Sequence, residues 1–118
     1  MPNNVSFYDA APTPTIDFPK ADRLVHGNPQ RTTWLRHKNS ALGFYCGEWA
    51  CEQGAWQIIY GPNEEELFTV TEGHIRITAK DGQSRDYRVG DSCAIPANFE
   101  GVFQVVEACK KIFAIVER

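Results

Sequence analysis

The sequence predicts an all-β fold, a sandwich or barrel, and three observations carry that prediction. Short β-rich runs separated by glycine, proline and asparagine clusters recur roughly every 8–12 residues. No segment shows the 3.6-residue apolar period of an amphipathic helix. In residues 74–79, Ile75, Ile77 and Ala79 alternate with His74, Arg76 and Thr78, the period of a half-buried strand, and Asp81-Gly82 follows at once as a hairpin turn signal.

The elements follow in chain order. Five of the seven prolines (Pro2, Pro12, Pro14, Pro19 and Pro29) fall in the first 30 residues. They forbid a long helix and disfavour a central strand there. Residues 1–30 therefore read as an extended arm over the body of the domain or over a partner subunit, and residues 31–118 as the β domain. A disordered tail over 1–14 is the alternative. Phe18, Leu24 and Val25 give the later part of the arm something to bury. Strands are expected at 32–36, 42–46 and 55–60, the last closed by Gly61-Pro62-Asn63. The next runs are 67–71 and, after a turn at Gly73, 74–79. Residues 84–89, Gly90-Asp91 and residues 92–95 lead to the turn Pro96-Ala97-Asn98, and 102–106 and 112–116 form a last pair.

Composition bounds the function. A chain of 118 residues with 42% hydrophobic and 23% charged residues is one globular domain, large enough to fold without a metal or disulfide. No run approaches the ~18 apolar residues of a membrane span. The N-terminus lacks the basic-then-apolar pattern of a secretory signal, so a cytoplasmic location is expected. A net charge of -3 without a basic block argues against nucleic acid as the main partner. Cys46, Cys51, Cys93 and Cys109 contain no C-x-x-C pair, so they read as small buried hydrophobes in a reducing compartment.

Two stretches one hairpin apart resemble the two motifs of the cupin fold. Glu66-Leu67-Phe68 leading across a strand to Gly73 is similar to the end of the first motif. Gly90-Asp91 followed by Ile95-Pro96 matches the spacing that opens the second. Gly47-Glu48-Trp49-Ala50-Cys51, Gly54-Ala55-Trp56, the stretch Pro96-Ala97-Asn98-Phe99-Glu100-Gly101, and Lys110-Lys111 before the last apolar run add detail. They resemble the cupin family that includes (S)-ureidoglycine aminohydrolase and the ethanolamine-utilisation cupins. The resemblance spans about residues 42–117. It implies a double-stranded β-helix, or jelly-roll barrel, and a homodimer.

The chain departs from the family where metal would bind. Metal-dependent cupins use two histidines and the glutamate of the first motif plus a histidine of the second. Glu66 occupies the glutamate position, but the histidine positions fall at Ile59, Gly61 and Gly101, whose side chains offer no lone pair. No metal cofactor is expected, although a displaced site using Glu64, Glu65 or Glu66 with one histidine is the alternative. His26, His37 and His74 read as solvated surface groups.

What remains is a cavity of the kind small barrels enclose. Trp56, Tyr60, Phe68, Phe99 and Phe103 are its candidate ligand-binding residues, suited to a small molecule carrying an amine or amide. Glu66 and Lys111 are the candidate acid–base pair. One of Lys110 and Lys111 must face inward, and Lys111 is the better match to the family. Three functions stay open: acid–base conversion of a nitrogen-containing metabolite, binding without turnover, and a structural dimer packed solid with its own aromatics.

Overall fold

The computed structural model describes residues 4–118. Residues 1–3, where the expected arm begins, lie outside them. Nine strands form a single antiparallel sheet: β1 (Thr15–Asp17), β2 (Leu24–His26), β3 (Arg31–Asn39), β4 (Phe44–Cys51), β5 (Gly54–Ile59), β6 (Glu64–Ala79), β7 (Ser84–Arg88), β8 (Ser92–Ile95) and β9 (Glu100–Glu117).

Two long strands turn this sheet into a barrel. The first half of β6 pairs with β8 and with the second half of β9, which in turn pairs with β4. The second half of β6 pairs with β7 and with the first half of β9, which pairs with β5. The sheet thus bends into two layers, β1-β3-β4-β9-β6-β8 and β2-β5-β9-β6-β7, which share β6 and β9. Side chains of the two layers meet between them, as where Trp49 of β4 stands edge-on to Phe103 at 5.7 Å. This is the jelly-roll, or cupin, architecture that the sequence predicts.

The bend corrects two expectations. Gly73 does not end a strand, and residues 102–106 and 112–116 are parts of one strand. At the crossing the register slips between Val70 and Glu72, between Glu72 and His74, and between His74 and Ile75. A bulge inserts residues and sharpens the local twist, so the inward set changes parity. Glu66, Phe68 and Val70 are buried before it, and Ile75 and Ile77 after it. Gly73 adopts a φ of +79°, and a Cβ there would run into the Ala108 carbonyl of the neighbouring strand. The glycine is a hinge within the strand, which local pattern does not distinguish from a turn.

The proline-rich segment contributes one edge of each layer. β1 pairs with β3 through Thr15 and Thr33, Ile16 and Thr32, and Asp17 and Arg31. β2 pairs with β5 through Leu24 and Trp56. The chain between them, including a short 3-10 turn at Ala21–Arg23, passes from the edge of one layer to the edge of the other. Pro19 is buried along the way. Neither three-residue strand has an apolar alternation of its own, and tertiary pairing forms both. No described helix is long and apolar enough to cross a membrane.

The hinge yields a prediction. Gly73→Ala should lower stability by about 2 kcal/mol or more in urea denaturation, from the left-handed backbone and the clash together. Gly61→Ala, where an added Cβ meets nothing within 4 Å, should stay within about 0.5 kcal/mol of the parent.

Candidate functional site

The inward faces of β6 and β9 bring Glu66 and Lys111 together. On β9, Cys109, Lys111 and Phe113 are buried in alternation, which settles the inward lysine as Lys111. Lys110 faces outward, with its ammonium over the Trp34 ring at 5.0 Å. Lys111 Nζ donates to Glu66 Oε2 at 2.7 Å, and both side chains are about 95% buried. Tyr60, just beyond β5, donates its hydroxyl to the other carboxylate oxygen, Oε1, at 2.6 Å. The ammonium also lies 4.5 Å from the Trp49 ring centre, 4.6 Å from Phe68 and 4.9 Å from Phe103. Negative ring faces on several sides, with a carboxylate on another, replace part of the hydration a buried cation loses.

A cavity of about 470 Å³ opens beside this pair. Trp56, Tyr60, Phe103, Glu66 and Lys111, all candidates from the sequence, line it. Phe68 does not: it is 1% exposed and packs under the ammonium as core. Phe99 stands apart, on a separate hollow of about 180 Å³ with Tyr87 and Cys93. Phe99 lies in the turn before β9, and at Gly101, two residues on, a Cβ would collide with the Thr78 carbonyl.

Sequence reading missed Trp49, Tyr45, Arg31 and the arm residues Asp17, Lys20 and Arg23, all of which also line the cavity. Trp49 stands directly opposite Lys111 across β4 and β9, a pairing that only the register reveals. Arg31 binds the Asp17 carboxylate through two nitrogens, at 2.9 and 2.7 Å, and its guanidinium lies 5.4 Å from the Trp56 ring centre. This contact ties the arm to the mouth of the cavity.

Burial sets the protonation of the wall. The Tyr60 phenol is held far above its ordinary range by loss of solvent, reinforced by the Glu66 charge and hydrogen bond. Tyr45 is raised by burial and by Glu117, to which it donates at 3.1 Å. Both remain neutral donors through the physiological range. Glu64, at the mouth, is also raised, chiefly by burial.

The residues do not fit a divalent metal. The three family histidine positions carry no donor atoms, and both oxygens of Glu66 are already engaged by Lys111 and Tyr60. Among the described residues, no three His, Cys, Asp or Glu side chains converge on one point. The displaced site with one histidine finds no support from His74, which sits beside Asp86, with Nε2 3.1 Å from Oδ2 but poorly aligned for a hydrogen bond. His74 corrects another expectation, for it is 7% exposed rather than solvated. The bulge buries it and the adjacent Ile75 together. His26 and His37 are exposed as expected. All four cysteines are free thiols, Cys51 and Cys109 buried and Cys46 and Cys93 half-buried. Burial pushes Cys51 up to about 12 and Cys109 up to about 11, so neither is a ready nucleophile.

Comparison with known proteins places this geometry in a family. Residues 40–113 match the family model of the EutQ-like cupin domain. No curated protein matches the chain. Among solved structures, a protein of unknown function from Pseudomonas syringae pv. tomato aligns with a TM-score of 0.76 at 18% identity, over 95% of this chain and 46% of that one. The chain thus spans less than half of that relative. The EutQ protein of Clostridium difficile aligns at 0.65 and 20% identity, over 85% and 79% of the two chains. Ectoine synthase from P. lautus aligns at 0.64 and 14%, over 73% and 63%. At these identities the structural likeness shows a shared fold.

Two predictions come from the site. Lys111→Met leaves a buried carboxylate without its cation and should cost about 3–5 kcal/mol in chemical denaturation. Adding Glu66→Leu should recover most of that loss. The tyrosines set an alkaline limit. Their folded values lie above the ordinary value of 10, so their contribution is complete below pH 10 and declines as pH rises further and the unfolded chain ionises. In Tyr8→Phe, which removes the exposed tyrosine, tyrosinate absorbance from Tyr45 and Tyr60 should appear together with unfolding, whereas a gradual rise near pH 10 in the folded variant would contradict their burial.

Proposed function

This chain belongs to the EutQ-like cupin family, and from that premise we propose that its barrel binds and converts a small nitrogen-containing metabolite without the usual metal. The observation that carries the reading is the ion pair of Lys111 and Glu66, which ends in a cavity rather than in solid core. Lys111 supplies a fixed positive charge beside the glutamate that would otherwise serve as a metal ligand. An ammonium has three N–H bonds, and Glu66 uses one. The others are free for a ligand oxygen. Tyr60 commits its proton to Glu66, so its oxygen lone pairs are left to accept from a ligand N–H. A donor and an acceptor bridged by one carboxylate match an amide or ureido group, which presents C=O and N–H side by side.

Proton transfer follows from the same three groups. Glu66 takes a proton from the ligand and Lys111 delivers one to it. The carboxylic acid so formed then returns a proton to the lysine amine across their 2.7 Å hydrogen bond. Both groups are restored, and the net change is a proton moved from one ligand atom to another. General acid–base catalysis of this kind contributes about 10²–10⁴-fold.

A second reading, binding without turnover, has its own support: both carboxylate oxygens are hydrogen-bonded before any ligand arrives. A homodimer belongs to the same proposal. Leu67 and Ile112, exposed by 55% and 41%, stand on the outward face of the first layer near Ala94 and Ala114, an apolar surface for a second copy.

Protein purified without chelators, examined by native mass spectrometry and elemental analysis, tests the proposal. A dimer with a co-purified organic molecule and no stoichiometric transition metal is expected. Lys111→Met and Tyr60→Phe should each weaken rebinding of that molecule, Lys111→Met by about 10–100-fold. Turnover by the parent protein, lost in Glu66→Gln, separates conversion from binding alone. A bound transition metal in equimolar amount would contradict the proposal.

A further inference from the structure

We infer that the ligand is a small organic carboxylate, its charge held at the cavity mouth by Lys20 and Arg23 while its polar head reaches Tyr60 and Lys111. The inference rests on the reading of this cavity as a ligand site, and goes beyond it by assigning the arm a part in recognition.

The charges on the cavity wall carry the argument. Arg31 is neutralised by Asp17, and Lys111 by Glu66. Lys20, Arg23 and Glu64 remain. Among the described residues, the side chains of Lys20 and Arg23 take part in no ion pair. Glu64 accepts from the Gly61 N–H at 3.3 Å; burial raises its pKa, while that hydrogen bond and the Arg23 charge oppose the shift, so it counts as a carboxylate. Four cations against three carboxylates leave the cavity at +1 on a chain whose net charge is -3. A positive mouth on a negative molecule concentrates anions where they enter.

The ordering of the charges gives the ligand its polarity. Lys20 and Arg23 lie on the crossing between β1 and β2, at the rim, whereas the ion pair is buried. Trp49, Trp56 and Phe103 line the same cavity, an aromatic wall suited to a short apolar spacer. The cation slot among the rings is already filled by Lys111, so a ligand ammonium would meet like charge there. Among the described residues, no glycine lines the cavity. The wall therefore lacks the glycine-rich backbone cradle that commonly holds a phosphoryl group.

The test compares short-chain ω-amido acids, succinamate first, with the corresponding neutral diamides. Quenching of Trp49 and Trp56 reports entry. The acids should bind about tenfold more tightly than the diamides at low salt, with the gap narrowing as salt is added. In Lys20→Gln/Arg23→Gln the two affinities should converge. In Lys20→Glu/Arg23→Glu the preference should pass to amines of the same length. Far-UV circular dichroism checks that each variant keeps its fold. Equal affinities for acid and diamide in the parent protein, or a gap that survives both double variants, would overturn the inference while leaving the binding site intact. If neither series quenches, the inference and the binding-site reading fall together.

Discussion

Everything distinctive in this molecule depends on keeping one ammonium and one carboxylate inside a barrel of apolar side chains. An isolated ion in such a place costs several kcal/mol, and a bare pair gains little over apolar packing. The surroundings reduce that penalty in specific ways. Tyr60 occupies the carboxylate oxygen that Lys111 does not. Trp49, Phe68 and Phe103 turn ring faces toward the ammonium. A cation held by a glutamate within a β-barrel is the electrostatic pattern that a metal ion provides in other cupins. Here the chain builds it from its own side chains.

The fold delivers these groups because β6 and β9 run the full length of the barrel. In their shared stretch Glu66 faces Ile115, Phe68 faces Phe113, and Val70 faces Lys111. Glu66 and Lys111 thus share one inner face on either side of the Phe68–Phe113 pair, and their long side chains extend along the strands to meet at 2.7 Å. The bulge at Gly73 turns both strands into the opposite layer, which brings Trp56 and Phe103 back over the site. A slip of one residue would send Lys111 to the outer surface, so the buried pair and the register specify each other.

Much of this was legible in the sequence, for identifiable reasons. Alternation and turn residues revealed most strand positions, and motif spacing singled out Glu66 and the missing histidines. Parity in the last apolar run put one of Lys110 and Lys111 inward, and the family resemblance favoured Lys111. Long-range pairing was less legible. Trp49 meets Lys111 only through the pairing of β4 with β9, and Arg31 reaches the mouth only because β1 joins β3. Gly73 looked like a turn because a bulge and a turn demand the same backbone conformation. His74 looked exposed because alternation fails at a bulge, where two successive residues can both be buried. Phe99 was placed with the site because it and Phe103 flank Gly101, the position without its histidine, but Phe99 lies in the turn before the strand that starts at Glu100.

The central claim is that the Lys111 ammonium is a resident cation held by Glu66 and ring faces. Proton–nitrogen correlation spectra of the lysine side chains test it most directly. One ammonium should exchange slowly with water and be shifted upfield by ring currents, and its signal should vanish in Lys111→Met. Spectra in which every lysine exchanges rapidly at an unshifted position would contradict the claim.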